Sequence, residues 1–390
     1  MSRDVAHDAV IVDAVRSPVG RGHAEKGVFR DVHPADLLGQ CFEGVIQKAG
    51  IDPMVVDNVI TGCANQIAFQ SSGIARTAWL QKGLPPSTGA TTVDIRCGSG
   101  QQAAHFAASS INSGIDRVVV AAGIEHMGRN GFRVHQGTQE QWGQAFTDEL
   151  RSRYPLVSQG IAAERLADRY GIDRVEMDEF SALSHQRAAA AARDGHHARE
   201  IHPIDVDGTK IEADQGIRPD STVRSLGALR PVFSENGKVT AGNSSQISDG
   251  SAAVLLAGAQ RAQELGLRAR ARVVDQVVLG VDPVDMLTGP IPATARILER
   301  NNLTIGDLDV IEINEAFASV VLAWQREFRP DMDRVNSWGG AIAIGHPLGA
   351  TGARLLTTIV NRLESTDSRF GLVTMCCGGG LGTATLIERL

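Results

Sequence analysis

No C-x-x-C pair occurs in these 390 residues, and the five cysteines are an odd number. That excludes a thioredoxin-like redox motif and the paired ligands of a structural zinc site, and it points to reduced thiols rather than a disulfide framework. No apolar run approaches the ~20 residues that cross a bilayer. No apolar segment follows the N-terminal charges of "MSRDVAHDAVIVDAVRSP", so no secretory leader is expected. The ending "IERL" is not a peroxisomal address. A cytoplasmic protein without a membrane partner is the resulting expectation. There is no block of like charge and the net charge is −7, which argues against nucleic acid as a partner. The histidines of "DGHHAREIHP" (His196, His197, His202) form the nearest thing to a cluster. They read as a solvated loop, and no metal is expected.

What is present is glycine, 42 residues of it, gathered at corners such as "NSWGGAIAIGHPLGATG" and "MCCGGGLGT" rather than in low-complexity tracts. Such corners suit tight turns and close approach of backbone to a ligand. The length alone implies two or three domains. The first 120 residues alternate strand and helix signals: "AVIVDAVR", then "PADLLGQCFEGVIQKAG", "VDNVITG", "GIARTAWLQKG", "TTVDIR", a helix over 98–113, and "RVVVAAG". The last 120 repeat the order. The rhythm predicts an α/β fold with a mostly parallel sheet covered on both faces.

Two local pairs suggest a duplication. "VDNVITG" (56–62) lines up without gaps on "LDVIEIN" (308–314). The block from Cys97 through "VVVAAG" matches the block from His346 through "LVTMCCGG". The middle, richer in charge and histidine, reads as a long insertion over one end of the sheets, where α/β proteins bind ligands. The division is 1–120 with 245–268 as one α/β half, 121–244 as the insertion, and 269–390 as the second half.

"IRCGSGQQAAH" places Cys97 where a strand hands over to a helix. Three readings compete. Gly98, Gly100 and Ala103 satisfy G-x-G-x-x-A, with Glu125 as a ribose-binding acid, which would make a dinucleotide site of an NAD-dependent dehydrogenase. An isolated cysteine is also commonly a buried structural residue. Or Cys97 is a nucleophile, its thiolate favoured by the helix N-terminus and its substrate admitted by glycines. A nucleophile needs a base. His346 lies between Gly345 and Pro347 in a glycine-dense corner. Cys376, Cys377 and three glycines end a strand, with N–H groups free to face an anion. Asn314 ends a strand before a helix and is equally readable as an N-cap.

These segments together resemble the thiolase family over nearly the whole chain: "DIRCGSGQQA", "INEAFA", "NSWGGAIAIGHPLGATGAR", "MCCGGGLG" and "TAGNSSQISDGSAA". The resemblance implies a five-layer αβαβα fold of two pseudo-twofold-related halves with an inserted loop domain. It implies that Cys97 takes the acyl group and that His346 activates it and donates to an oxyanion. Cys376 would be the second acid/base, and Asn314 would hold a water of the first oxyanion hole. The N–H groups of Cys97 and Gly378 would make the second. Arg218 and Ser245 would contact coenzyme A, with Phe317 lining the same pocket. Coenzyme A would be a co-substrate beside acyl-CoA, with no permanent cofactor. A homodimer or homotetramer is implied as well.

Where biosynthetic acetoacetyl-CoA members carry His-Met-Gly, this chain has Ser158-Gln159-Gly160. The loss of that bulky pair favours a degradative enzyme acting on a longer or bulkier acyl chain, with the acetoacetyl-CoA thiolase as the alternative. "CGSGQQA", "SQISDG" and "INEAFASVVLAW" are also similar to actinobacterial thiolases of steroid-derived CoA esters. A decarboxylating ketosynthase would lack the "MCCGGG" thiol. His126 replaces an expected small residue, with no role assigned by the resemblance.

Overall fold

The structure, a computed structural model, describes residues 7–390. Its strands are β1 (Ala9–Arg16), β2 (Gly20–Arg21), β3 (Asn58–Gly62), β4 (Gly89–Val93), β5 (Val118–His126), β6 (Ile204–Val206), β7 (Thr209–Ile211), β8 (Ser248–Gly258), β9 (Ala271–Gly280), β10 (Val310–Ile313), β11 (Phe370–Cys377) and β12 (Leu381–Arg389). One path of hydrogen bonding runs β10-β11-β12-β9-β1-β8-β5-β3-β4, with β2 beside β8, while β6 and β7 pair separately. Strands β5 and β8 are buried at every residue, which accounts for their unbroken apolar and small-residue sequences.

The sheet is mixed, not mostly parallel. Among the strands of the described residues, only β3·β4, β3·β5 and β10·β11 run parallel. Helical crossovers produced the parallel pairs that the βα rhythm led one to expect. The others answer to different connections: β12 follows β11 through a three-residue glycine hairpin (Gly378 to Gly380), which forces an antiparallel partner. Gly379 and Gly380 take φ of 83° and 79°, open to glycine without strain.

The path is also a duplicate of itself. Read outward from the β1·β9 contact, β1-β8-β5-β3 and β9-β12-β11-β10 both run antiparallel, antiparallel, parallel. The gapless match of 56–62 on 308–314 equates Asp57 with Asp309. Asp57 Oδ2 accepts from the N–H groups of Arg117 and Val118 (2.7 and 2.9 Å). Asp309 Oδ2 accepts from those of Arg369 and Phe370 (both 2.9 Å). The same carboxylate caps the start of the corresponding strand in each half.

Helices α1 (Pro34–Ala49) and α2 (Ile74–Gln81) cover the outer face of the first half. The start of α1 is set by the His33 ring, which accepts from Ala35 N, and by Pro34; its end is Gly50 at φ 67°. Helix α3 (Ser99–Asn112) begins at the Cys97 corner. Between β5 and β8 lie α4 (Phe132–Trp142), α5 (Asp148–Arg153), α6 (Gln159–Arg169), α7 (Arg174–Arg193), α8 (His196–Glu200) and α9 (Val223–Gly227), with the β6·β7 hairpin. Helix α10 (Ala259–Glu264) leads into the second half, whose outer face carries α11 (Pro290–Asn301) and α12 (Ala318–Phe328).

Helix α13 (Thr351–Ser365) and α3 form the middle layer. Helix α3 packs on β3 and β5 of its own half and on β12 and β9 of the other; α13 packs on β10 and β11 and on β8 and β1. Outer helices, half-sheet, shared helices, half-sheet and outer helices make five layers, as the resemblance implies.

Candidate active site

Cys97 sits in a tight 3-10 turn (Arg96–Gly98) between β4 and α3. Asp94 Oδ1 accepts from Arg96 N (2.7 Å), and Ser99 Oγ accepts from Ile95 N (3.0 Å) while donating to Arg96 O (2.6 Å). These short-range bonds stiffen the corner. The thiol is 3% exposed. Burial pushes it up to about 11, against the pull of hydrogen bonds from Gly378 N–H, the Gln159 amide and its own N–H; the charge of Glu125 adds to the rise. The helix start therefore does not make a resting thiolate, contrary to the reading from sequence. Desolvation outweighs the hydrogen bonds to the sulfur, so the proton has to be taken by a base.

A base with a free lone pair stands nearby. Gly345, at φ 120°, turns the chain so that His346 N donates to Ser248 Oγ (3.1 Å). A Cβ at Gly345 would strike that same Ser248 hydroxyl. Thr351 Oγ1 donates to Pro347 O (2.8 Å) and lies 2.7 Å from His346 Nδ1. With its proton committed, that hydroxyl accepts, so Nδ1 carries the hydrogen and Nε2 the lone pair. Asn314 Nδ2 lies 3.3 Å from Nε2. Burial, helped by the Arg354 charge, lowers the imidazole to about 3 and keeps it neutral. Asn314 is no N-cap: α12 begins four residues on, capped at Phe317. Its buried Oδ1 has no protein partner.

Cys376 and Cys377 close β11, and Gly378 opens the hairpin that aims its N–H at Cys97. Both thiols are pushed well up by burial and by the nearby Cys97. A Cβ on Gly98 would lie 2.6 Å from Cys377 Sγ, so this sulfur fills the space under the turn. The turn Leu348–Ala350, directly after His346 and Pro347, packs on the Cys97 turn. A Cβ on Gly100 would stand 2.6 Å from Gly349 O. Cys97, Cys376 and Gly378 thus share one corner, and the His346–Asn314 pair adjoins it through the turn 348–350 and through Asn314 N, which donates to Thr374 O of β11 (3.0 Å).

The other expected residues lie beside this corner or beyond it. Ser245 N donates to Ala316 O (3.0 Å), which seats Ser245 next to Phe317. Phe317 packs edge-on to Phe233 at 6.1 Å, and the Phe233 ring occupies the space a side chain on Gly160 would need. The next residue back, Gln159, has its amide nitrogen 2.9 Å from the Cβ position of Gly378. A line of contacts thus runs from Phe317 through Phe233 and Gly160 to Gln159, whose amide reaches the Cys97 sulfur. Arg218 is exposed and its N–H is bonded to His185 Nδ1 (3.1 Å), away from the thiols. Thr351, Ser248 and Gln159 were missed from the sequence. Thr351 had a signal, standing inside the "GHPLGAT" run.

The rival readings lose their space. Gly98 and Gly100 face Cys377 and Gly349, not solvent, and Ala103 is buried. Glu125 is fully buried with both oxygens taken by N–H groups, so it cannot face a ribose. The loop histidines are engaged: His196 stacks on Trp338 at 4.4 Å, His197 is buried against Trp338 O (3.1 Å), and the His202 ring lies over Gly44. His126, unassigned before, is buried with Nε2 2.9 Å from Phe29 O and Nδ1 3.2 Å from Asp249 Oδ1.

Two family profiles match in tandem: the thiolase N-terminal domain over residues 9–260 and the thiolase C-terminal domain over 267–389. The chain belongs to the thiolase family, a family of acyltransferases. A steroid 3-ketoacyl-CoA thiolase, FadA6 of Mycobacterium tuberculosis, is 42% identical over 398 residues, spanning 99% of this chain and 95% of its own. A 3-ketoacyl-CoA thiolase of Erwinia tasmaniensis is 43% identical over 395 residues, spanning 98% and 99%. The crystal structure of the Bacillus anthracis acetyl-CoA acetyltransferase superposes with a TM-score of 0.91 at 36% identity, covering 99% of both chains.

Proposed function

We propose that the protein cleaves 3-ketoacyl-CoA with coenzyme A, giving acetyl-CoA and a shortened acyl-CoA, in the degradative direction. The observation that supports this reading is a pair of neighbouring buried thiols, Cys97 and Cys376, packed beside the turn that follows His346, whose Nε2 carries a lone pair. Cys97 passes its proton to His346 Nε2 as its sulfur attacks the 3-keto carbon. The bond between C2 and C3 breaks, and the electron pair leaves on acetyl-CoA as its enolate. Cys376 supplies the proton that this enolate takes up. Coenzyme A then loses its thiol proton to the Cys376 thiolate and displaces Cys97 from the acyl group, and the leaving Cys97 sulfur takes its proton back from His346. One thioester replaces another.

Each tetrahedral or enolate oxygen needs donors. The N–H groups of Cys97 and Gly378 serve one, and Gly378 N–H already faces the sulfur. His346 and a water held by Asn314 serve the other; the unpartnered Asn314 Oδ1 suits that water. Arg218 and Ser245 contact coenzyme A, and Phe317 lines the same pocket. The insertion over residues 121–244 forms the coenzyme A domain between halves 1–120 with 245–268 and 269–390. The protein works in the cytoplasm as a homodimer or homotetramer, with acyl-CoA and coenzyme A as partners and no permanent cofactor.

Ser158 and Gln159, in place of a bulkier pair, and the Phe233–Phe317 contact support an acyl group longer or bulkier than four carbons. The 3-ketoacyl-CoA thiolases among the relatives agree with that direction. A series of 3-ketoacyl-CoA substrates of rising chain length, run with coenzyme A, tests the proposal. Rates should rise beyond acetoacetyl-CoA, and Cys97→Ala should abolish cleavage. A sharp optimum at acetoacetyl-CoA overturns the substrate assignment. Turnover by Cys97→Ala above a few per cent of wild type overturns the nucleophile.

A further inference from the structure

Glu125 is a fully buried carboxylate to which the proposed chemistry gives no task. It is the penultimate residue of β5, which β3 separates from β4, the strand that leads to the Cys97 corner. Its Oε2 accepts from Ala64 N (2.9 Å) and Gly349 N (3.0 Å). Its Oε1 accepts from Gln70 Nε2 (2.8 Å) and Asn65 N (3.2 Å). Four donors converge on it, an arrangement that favours the carboxylate form and works against the burial that raises its pKa. Its four donors belong to three segments: the exit of β3, the loop at Gln70 and the turn behind His346.

The last of these matters most. Gly349 belongs to the second half of the molecule, and the other three donors to the first. Backbone meets backbone here: a Cβ on Gly349 would lie 2.7 Å from Cys63 Cα and 2.9 Å from Gly62 O, and one on Gly123 would strike Gly349 O. Van der Waals contact of this kind has no direction along the chain, whereas a carboxylate bonded to a single N–H does. Gly349 is three residues from His346, with the rigid Pro347 between them.

We propose that Glu125 is a positioning residue: its carboxylate pins the turn 348–350, and through it the His346 imidazole, onto the half that carries Cys97. The proposal rests on the thiolase reading for its kinetic readout. It has a second, electrostatic consequence. The groups that bear on Cys97 are Cys376, Cys377, the Gln159 amide, Gly378 N–H and the Glu125 carboxylate, beside the neutral His346 imidazole whose turn packs on the same corner. Burial holds the resting thiol protonated until the imidazole takes the proton, and the Glu125 charge adds to that hold. Cys63 and Asp249 are the titratable neighbours on which Glu125 itself bears.

The test compares E125Q and E125D in the full chain. E125Q removes the charge and turns an acceptor into a donor; E125D keeps the charge and shortens the reach. Thiolysis of 3-ketooctanoyl-CoA gives kcat and KM, and iodoacetamide alkylation of Cys97 across pH, without substrate, gives the midpoint of the thiol. E125Q should lose about 10²-fold in kcat with KM for coenzyme A little changed, and its alkylation midpoint should move to lower pH. E125D should lose kcat with the midpoint unmoved. A residue that merely filled space would move neither the midpoint nor the ratio of kcat to KM.

The clamp is overturned if both variants keep kcat within about threefold of wild type, far short of the 10²-fold loss that misplacement brings. An E125Q midpoint that stays put overturns it as well. If E125Q does not fold, E125D decides alone: a loss of kcat with an unmoved midpoint supports the clamp, and wild-type kcat ends it. Wild-type protein that cleaves no 3-ketoacyl-CoA sinks the functional reading instead. The alkylation midpoints of wild type and E125Q then still judge the clamp.

Discussion

The Asn314 amide nitrogen stands 3.3 Å from His346 Nε2, while the opposite ring nitrogen is bound to Thr351. One neighbour fixes the tautomer and the other marks the working face of the ring. Asn314→Ala removes the marker and leaves the tautomer. It should lower kcat by about 10²–10³ and leave KM for coenzyme A near wild type. Steady-state kinetics checks this; an unchanged kcat would detach Asn314 from the reaction. Thr351→Val, by contrast, frees Nδ1 to lose its proton and should slow the enzyme by giving the ring a choice of tautomers.

Cys376→Ala should separate the two halves of the reaction. The carbanion loses its proton donor, so turnover falls, yet Cys97 retains its base and still accepts an acyl group. Intact-protein mass spectrometry after mixing with a 3-ketoacyl-CoA should show the acyl adduct. Its complete absence would mean that the two thiols do not divide the work.

Gly98→Ala puts a methyl 2.6 Å from Cys377 Sγ. It should destabilise the protein by about 1–3 kcal/mol and disturb the Cys97 corner. Adding Cys377→Ala removes the atom in the way, so the pair should be less damaging than the sum of its parts. Gly123→Ala meets the carbonyl of Gly349 instead, and no side-chain trimming should relieve it. Chemical denaturation of the singles and the double gives the coupling.

Burial depresses six histidines of the described residues, among them His346 and His105 to about 3 and His185 to about 4. Below the unfolded value near 6.5, the unfolded chain binds protons that the folded one refuses. Stability is therefore complete above about pH 6.5 and falls as acid is added toward pH 3–4. Each histidine contributes a slope of about 1.4 kcal/mol per pH unit inside that window. Urea denaturation from pH 7 to 4.5 should show the decline, shallower in His105→Gln. A flat profile would show that these rings titrate normally.

Much of this was legible in the residues. Pro34 and Gly50 bracket α1 as local chemistry demands, and the gapless match of 56–62 on 308–314 placed Asp57 on Asp309. The corners of Cys97, His346 and Cys376 stood out because glycine and proline cluster there. What escaped reading depends on contacts far along the chain. The antiparallel partners of β8 and β12 follow from connections that a helix-strand rhythm does not encode. The raised thiol of Cys97 follows from a second half of the molecule closing over it. Glu125 carried a visible signal, an acid near the end of a strand, but its partners lie 55 to 224 residues away, and only the fold says which of them it serves.

Helices α3 and α13 are each gripped by both half-sheets. A chain cut in the connection before β9 would yield two pieces, each with one bare sheet face and one helix lacking its outer wall. Neither piece could bury its apolar surface unaided. Reassembly of the severed pieces would restore the core and the thiol pair in a single event, so the two halves should unfold together rather than one after the other.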